Sequence, residues 1–437
     1  MLVHPETANN SDCDLPYTPK AKGVLMVTGA LARGGAERQM FALTYGLLQQ
    51  GFDVQVLELI GVAADQASFA EEFTNIGVRL RHADEFSAAA GDDIASSVAA
   101  GLSPFALLVP ANYASLCRAS MLAIEDFRPS AVYCWSDTSN LIGGFASSRM
   151  RVPRIMLGQR VLPPPFWFDA FNSELYRQAY RMLASDRSVV FVNNSAMSVK
   201  EYESWMQFAS GTIKLVNNGF LPSSIKIRKP SERAACRTHF GLRPDGPVVG
   251  AIMRFAHEKD PDLWLETAAA IASARPDVSF LLAGYGHEAV ADELFQKGRE
   301  LGLATRLVMP GMVIDVGQVY GALDVLLLTS RLENVPNVMI EAQAAGIPVV
   351  GPALGGIGEA MLDGVTGVVV ADRSCKALAS AVLEILDDAS WRERAAAEGP
   401  AFVAERFGHE RMVHEMIAIH HLDAPHLRSR LSPGLSN

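Results

Sequence analysis

Short apolar runs alternate along the chain with longer stretches in which apolar residues recur at helical spacing. The first run, Lys22–Val27 (KGVLMV), precedes a loop (TGALARGG), a helix over about Ala36–Gln50 and a second strand at Val54–Leu59. Further runs of strand type follow at Ala131–Trp135, Arg154–Leu157 and Val189–Asn193. Strands that alternate with helices at this rhythm predict a parallel sheet with helices on both faces.

The alternation is interrupted once, around Thr212–Pro222 (TIKLVNNGFLP), where Asn-Gly and Pro indicate a turn. It then resumes in a second set of strand-like runs: Val248–Ile252, Ser279–Ala283, Val325–Thr329, Pro348–Gly351 and Val368–Val370. The sequence therefore predicts an α/β protein with two Rossmann-like, doubly wound domains facing each other across a cleft. Such domains bind ligands where the carboxyl ends of strands meet the amino ends of helices.

Composition fits a soluble enzyme of this size. The 437 residues suffice for two domains, and 49% hydrophobic with 20% charged residues is ordinary for a globular chain. The net charge of −10 argues against nucleic acid as a partner. The five scattered cysteines and the histidines show no metal-ligand spacing, so we expect no metal and no cofactor.

The amino-terminal twenty residues are polar, and no run of about 18 apolar residues occurs. We therefore expect a cytoplasmic protein without a signal peptide or a transmembrane helix. Peripheral contact with the inner face of the cell membrane and the oligomeric state are left open.

The segment SRLENVPNVMIEAQAAGIPVVGPALGGIGEA combines a strand end, a loop, a helix and a Gly-rich loop. Pro336 suits the first helical position, and Gly346 ends the helix after Ala345. The free N–H groups near Asn337 and Val338 should point into the cleft, where a helix amino terminus favours a phosphate.

Two glutamates eight positions apart belong to this segment. Glu333 lies in the loop, and Glu341 lies one turn beyond Asn337, where a carboxylate can accept hydrogen bonds from both hydroxyls of a ribose. The alternative is that Glu341 is a surface charge and that Glu333 merely complements the helix dipole.

A second strand end, GAIMRFAHEKDPDLW, carries two cations. Arg254 follows the strand, and Lys259 precedes a helix that begins near Asp260 or Pro261. Two fixed cations beside a cleft suit a diphosphate whose negative charge grows as it leaves. Surface charges on a turn are the alternative.

The paired glutamates and the Pro-Asn before the helix resemble the signature of family-4 retaining glycosyltransferases with the GT-B fold, also called group 1, of the bacterial polysaccharide and lipid-linked glycan type. The resemblance implies that Glu333 approaches the hydroxyls of the donor sugar and that Glu341 binds the ribose. It also implies that backbone groups near Asn337 and Val338 hold the distal phosphate.

The resemblance extends to three further loops. Arg254 and Lys259 match the cations that stabilise the leaving diphosphate in this family, although His257 and Asp260 stand where Pro and Gly are common. The string GGAE with Gly34 and Gly35 matches the loop that faces the donor phosphates and the acceptor. The loop Pro310–Val313, with Met312, corresponds to the one that reads the base.

The acceptor side departs from the family pattern. The family often carries a His within the segment AVYCWSDTSNLIGGFA, where this chain has Tyr133 and Trp135. Trp135 is either a platform for a sugar face or part of the core. We expect Asp137 to face the acceptor. Arg38 is predicted at the cleft edge as a further acceptor-side candidate.

The segment QRVLPPPFWFDAF follows the predicted strand Arg154–Leu157. Arg160 is a candidate for binding an acceptor phosphate. The aromatic residues Phe166, Trp167 and Phe168 either contact a lipid-linked acceptor or membrane interface, or cap the core.

The sequence thus predicts a retaining, metal-independent glycosyltransferase that moves a hexosyl unit from a nucleoside diphosphate sugar to a glycan or lipid-linked acceptor in cell-surface polysaccharide synthesis. The predicted organisation is a leader (1–20), an acceptor-binding domain (21–218), a nucleotide-sugar-binding domain (219–405) and a C-terminal helix and tail (406–437) that packs back on the first domain. The alternative is a catalytically silent, sugar-nucleotide-binding or scaffold subunit. An epimerase would need acid and base carboxylates and a phosphorylase a cofactor lysine, and neither set is evident.

Overall fold

The computed structural model describes residues 17–62, 68–86 and 113–421, and these form two parallel sheets flanked by helices. The strands are Lys20–Thr28 (β1), Asp53–Glu58 (β2), Arg79–His82 (β3), Pro129–Cys134 (β4), Arg154–Gln159 (β5), Val189–Asn193 (β6), Lys214–Leu215 (β7), Val248–Arg254 (β8), Ser279–Tyr285 (β9), Leu307–Val308 (β10), Val325–Leu327 (β11), Val349–Pro352 (β12) and Gly367–Val370 (β13). The helices are Gly35–Gln49 (α1), Ala70–Asn75 (α2), Tyr113–Phe127 (α3), Asp137–Arg149 (α4), Ala170–Leu183 (α5), Ala196–Met206 (α6), Arg233–His239 (α7), Pro261–Ala274 (α8), Glu288–Glu300 (α9), Val316–Ala322 (α10), Asn337–Ala344 (α11), Cys375–Asp387 (α12), Ala389–Arg406 (α13) and His409–His420 (α14).

Both sheets are doubly wound, which confirms the predicted α/β architecture. The first has the order β3-β2-β1-β4-β5-β6-β7 and the second the order β10-β9-β8-β11-β12-β13. The direction of winding reverses between β1 and β4 in the first sheet and between β8 and β11 in the second. In sheets of this type, the crevice beyond the carboxyl ends of the strands at such a reversal is the usual ligand site.

The strands at the centre of each sheet are buried because helices cover both faces. In β1 the run Val24–Val27 has no exposed surface, and it pairs in parallel register with β2 through Val24 and Val54. The strands β3 and β7, which the sequence did not reveal, and the short strand β10 each lie at an edge of their sheet and are two to four residues long.

The chain crosses between the two sheets twice, and the crossings lie side by side. Phe220 forms a parallel bridge with Gly408, and the Phe220 N–H donates to the Phe407 carbonyl oxygen at 2.6 Å. Beyond the second crossing, α14 packs on α1, and its apolar residues Met412 and Met416 belong to the core of the first sheet. The domain boundaries given above stay a prediction.

Within the described ranges, no helix has the length and apolar character needed to cross a membrane.

Candidate active site

A cleft of about 470 Å³ lies between the two sheets at the carboxyl ends of their strands. All of the predicted site residues except Trp135 and Asp137 line this cleft. The structure thus brings together residues that are up to about three hundred positions apart in sequence. Among the residues that the structure describes, no group of three or more His, Cys, Asp or Glu side chains gathers at one point.

Lys259 and Glu333 meet on the wall formed by the second sheet. The Lys259 ammonium forms an ion pair with the Glu333 carboxylate, and the Ser330 hydroxyl donates to Glu333 Oε1 at 2.9 Å. The Gly-rich loop packs closely against the backbone of Glu333. Gly355 has φ +55°, and a Cβ there would lie 1.9 Å from the Glu333 carbonyl oxygen. Only glycine fits at this position, so the loop fixes where Glu333 enters the cleft.

Asp260, next to Lys259, occupies a left-handed backbone conformation with φ 52°. Left-handed conformations are unfavourable for most residues other than glycine, so the surrounding contacts must stabilise this one. The carboxylate of Asp260 is buried, caps α8 and forms ion pairs with Arg373 and with Arg331 at 2.8 Å. Arg373 also donates to the Thr329 carbonyl oxygen at 2.8 Å, which ties the turn of Lys259 to the loop that carries Glu333.

Arg254 lies at the end of β8 and forms an ion pair with Glu258, while its side chain stays 56% exposed. Glu37, at the start of α1, also lines the cleft. Burial raises the pKa of Glu37 to about 7, and the charge of Arg254 acts in the opposite direction. The rim of the cleft near Arg254 therefore carries a carboxyl group that titrates near neutral pH.

Glu341 is buried, and both of its oxygens have partners. The Tyr320 hydroxyl donates to Oε2 at 2.6 Å, and Arg38 forms an ion pair with Oε1. Burial raises the pKa of Tyr320 well above its usual value, so the phenol stays a hydrogen-bond donor. The guanidinium of Arg38, predicted on the acceptor side, thus contacts the predicted ribose ligand, and both roles stay predictions.

Asn337 links the amino end of α11 to the first domain. Its Nδ2 donates to the Gly35 carbonyl oxygen at 2.8 Å, and its Oδ1 accepts from Gln39 at 3.1 Å and from Asn218 at 2.8 Å. A Cβ at Gly35 would lie 2.9 Å from Asn337 Nδ2, so Gly35 permits this close approach. The helix begins at Asn337, and Pro336 precedes it instead of being its first residue as predicted.

Gly34, Val338 and Met312 complete the lining at three different places. Gly34 precedes α1, Val338 is the second residue of α11, and the side chain of Met312 is 39% exposed in the loop after β10. Their positions are compatible with the predicted phosphate and base contacts, which stay predictions.

Trp135 and Asp137 are buried in the first domain. Of the two alternatives for Trp135, the structure shows the core residue, and the prediction that Asp137 faces the acceptor is wrong. The indole Nε1 of Trp135 donates to the Ala36 carbonyl oxygen at 2.7 Å, and the ring is 1% exposed. The Asp137 carboxylate accepts from the Tyr180 and Tyr202 hydroxyls, the latter at 3.0 Å. Burial raises the pKa of Asp137 to about 6.

Arg160 and the aromatic residues that follow it occupy the wall formed by the first sheet. The Arg160 guanidinium carbon lies 3.7 Å from the centre of the Trp135 ring, and both Arg160 and Trp167 line the cleft. Phe166, Trp167 and Phe168 are 45%, 37% and 43% exposed. They therefore lie at the surface, and Phe168 also stacks on Tyr176, which packs against the core of the first sheet. Both alternatives for these residues stay predictions.

A contact between the domains involving Glu359 was missed by the sequence analysis. Glu359 follows the Gly-rich loop of the second domain, and its carboxylate accepts from Ser195 Oγ at 2.7 Å and from the N–H groups of Ala196 at 2.7 Å and Met197 at 2.9 Å. It thus supplies a negative charge to the amino end of α6 in the first domain. No sequence signal pairs Ser195 with a residue 164 positions away.

Residues 246–388 match the family described as "Glycosyl transferases group 1". The chain is 27% identical over 410 residues to the Vi polysaccharide biosynthesis protein VipC/TviE of Salmonella typhi, which covers 89% of this chain and 69% of that one. It is 28% identical over 200 residues to the lipopolysaccharide core biosynthesis mannosyltransferase LpsB of Rhizobium meliloti, covering 45% of this chain and 57% of that one.

Among solved structures, Alr3699/HepE of Anabaena, crystallised with UDP and glucose, has a similar fold. The TM-score is 0.72 at 19% identity, with 90% of this chain and 98% of that chain covered. The same protein is also known in complex with UDP-glucose. Together with the two facing Rossmann-like sheets, these matches identify a group 1 glycosyltransferase domain at residues 246–388 in a chain with the GT-B fold.

Proposed function

We propose that the protein transfers a hexosyl unit from a uridine diphosphate sugar to a glycan or lipid-linked acceptor, with retention of anomeric configuration and without a metal ion. The observation that carries the proposal is the meeting of Lys259, Arg254, Glu333 and Glu341 in one cleft, beside the amino end of α11. The UDP and UDP-glucose complexes of HepE support uridine as the base. The names of VipC/TviE and LpsB support a role in surface polysaccharide synthesis.

The positively charged groups would act on the leaving diphosphate. When the bond between the anomeric carbon and the phosphate oxygen breaks, the electron pair stays on that oxygen, and Lys259 and Arg254 stabilise the charge that develops. The two cations would thereby supply the positive charge that a divalent metal supplies in other enzymes. Lys259 now pairs with Glu333, so donor binding would transfer its charge to the diphosphate and free the carboxylate for hydroxyl groups of the sugar.

Retention would follow if the acceptor attacks from the face that the diphosphate leaves. The acceptor hydroxyl then forms its bond to the anomeric carbon, and its proton passes to the departing phosphate oxygen. This route needs no covalent nucleophile from the protein. Closure of the domains around the donor would exclude water and so suppress hydrolysis.

Ribose binding would require a rearrangement at Glu341. Its Oε1 is occupied by Arg38, which must move before a ribose hydroxyl can donate to that oxygen. Tyr320 can keep its hydrogen bond to Oε2 throughout.

The test is a panel of UDP-, GDP- and ADP-sugars, with binding measured by calorimetry and donor hydrolysis measured with and without EDTA. We expect saturable binding of at least one UDP-sugar and slow hydrolysis that EDTA does not abolish. The anomeric configuration of the sugar in the product of an acceptor reaction, read by NMR, tests retention.

Two outcomes would contradict the proposal. Failure to bind any donor would exclude a transferase of this kind. Binding with no turnover, unchanged by Lys259→Ala, would indicate the catalytically silent subunit.

A further inference from the structure

Five cationic side chains line the cleft, and they differ in how their charge is balanced. The five are Arg33, Arg38, Arg160, Arg254 and Lys259. Four of them form ion pairs with a glutamate: Arg33 with Glu72, Arg38 with Glu341, Arg254 with Glu258, and Lys259 with Glu333. Within residues 17–62, 68–86 and 113–421, Arg160 has no carboxylate partner.

The guanidinium of Arg160 is held by an aromatic ring and not by a carboxylate. Its plane lies over the Trp135 ring at 3.7 Å, and the indole of Trp135 is itself fixed by its hydrogen bond to Ala36. A Cβ at Gly158 would lie 3.5 Å from Arg160 Nε and 2.8 Å from the Cys134 carbonyl oxygen, so the side chain folds back over the end of β5.

Arg160 keeps its positive charge, and no carboxylate among the described residues balances that charge. Its Nε is buried and has no hydrogen-bond partner among the described residues. Burial lowers the pKa of Arg160 to about 9, which still leaves the guanidinium charged at neutral pH. A buried N–H of a cation without a hydrogen-bond partner is costly, and an anion that reaches the guanidinium can supply that partner.

The position of Arg160 separates it from the cations assigned to the donor. Arg254 and Lys259 belong to the turn after β8, whereas Arg160 follows β5 of the first sheet, with the exposed Trp167 also lining the cleft near it in sequence. The planar guanidinium can form two parallel hydrogen bonds to a carboxylate or a phosphate.

From this geometry we infer that the acceptor carries an anionic group, a phosphate or a carboxylate, and that Arg160 binds it and so determines acceptor specificity. The inference rests on the proposed function, because it assigns the first-domain wall to the acceptor. The two anions share the chemistry that Arg160 recognises, and the experiment distinguishes them.

The experiment compares three probes, glucose, glucose 6-phosphate and glucuronate, in calorimetric titrations of the full chain saturated with UDP. For the wild-type protein we expect at least one of the anionic sugars to bind about ten- to a hundred-fold more tightly than glucose, as for a hydrogen bond to a charged group. Arg160→Gln should abolish that advantage and leave the affinity for UDP within about twofold of the wild-type value. Which anionic sugar shows the advantage identifies phosphate or carboxylate.

The matched control is Arg187→Gln, which makes the same chemical change at an exposed position of the first domain. It should leave the preference for the anionic sugar intact. Thermal unfolding of both variants reports whether each is folded.

Each other result overturns the inference. Equal binding of all three sugars, or no binding of either anion, would show that Arg160 does not select an anionic acceptor. A loss of UDP affinity in Arg160→Gln of more than tenfold would place Arg160 on the donor diphosphate. If the wild type does not bind UDP, the proposed function fails on its own, and the same comparison of sugars without UDP still decides the role of Arg160.

Discussion

Substitution of Arg38 by alanine should lower the stability of the free protein and raise its affinity for UDP. Arg38 holds one oxygen of Glu341 in the structure, and a ribose hydroxyl would need that oxygen. In the wild-type protein the ligand must displace the guanidinium, whereas in Arg38→Ala the oxygen is already available. Stability and affinity should therefore change in opposite directions.

The magnitude follows from the burial of the pair. The side chain of Arg38 is 25% exposed and that of Glu341 is 4% exposed. Breaking a buried pair costs about 3–5 kcal/mol, and an exposed pair contributes about 0.2–1 kcal/mol, so we expect about 1–3 kcal/mol here. Tyr320 still donates to Glu341, which limits the loss. Recovery of about 1.4 kcal/mol on binding would raise the affinity for UDP about tenfold.

Urea unfolding of both proteins, with and without UDP, measures the stability, and calorimetry measures the affinity. The control is Arg33→Ala, because Arg33 also lines the cleft but pairs with Glu72 of its own domain. That variant should not bind UDP more tightly. Weaker binding of UDP by Arg38→Ala would refute the reasoning and would indicate that Arg38 contacts the donor.

Three further substitutions test separate parts of the structure. Lys259→Ala should reduce kcat by about 10²–10³. Because the side chains of Lys259 and Glu333 are 25% and 10% exposed, it should also lower the free energy of unfolding by about 1–3 kcal/mol, and an unchanged kcat in the folded variant would make Lys259 purely structural. Glu359→Gln removes the negative charge at the amino end of α6, so we expect the free energy of unfolding to fall by about 0.5–2 kcal/mol. We also expect a larger radius of gyration in solution scattering, and an unchanged radius would show that Glu359 does not hold the two domains together. The raised pKa of Asp137, about 6, means that the native state binds more protons than the unfolded state between about pH 4 and 6, so stability should fall as pH rises through that window. In Asp137→Asn this fall should be smaller by about 2 kcal/mol in urea titrations at pH 4.5 and 7, and an identical slope would show that Asp137 is not its source.

The sequence was sufficient where local patterns carry the information. The apolar run of β1 and the helix that ends before Gly51 were visible because burial on both faces leaves almost no polar residue in a central strand. The short edge strand β3, Arg79–His82, was missed because its polar residues lack such a run. The two glutamates and the Lys259 turn were found for a similar reason, since each lies at a strand end.

The contacts across the cleft could not be predicted in the same way. Arg38 and Glu341 are 303 positions apart, and nothing in either segment indicates that the two side chains meet. The open choice at Trp135 and the error at Asp137 have another cause, because the sequence places both residues near a strand end but does not say which way their side chains turn. Both turn into the core, where Trp135 donates a hydrogen bond to the Ala36 carbonyl oxygen and the Asp137 carboxylate accepts hydrogen bonds from tyrosine hydroxyls.

The packing of α14 on the first domain has a consequence for how the protein is made. Met412, Val413, Met416 and Ile419 fill the core around β1 and α1, yet they lie more than 400 residues into a chain of 437. Domains usually fold as units while the ribosome is still extending the chain, beginning with the amino-terminal one. Here the amino-terminal domain must wait with an open apolar face until the second domain has emerged. A nascent chain that stalls within the second domain therefore presents that face to chaperones and to other unfinished chains.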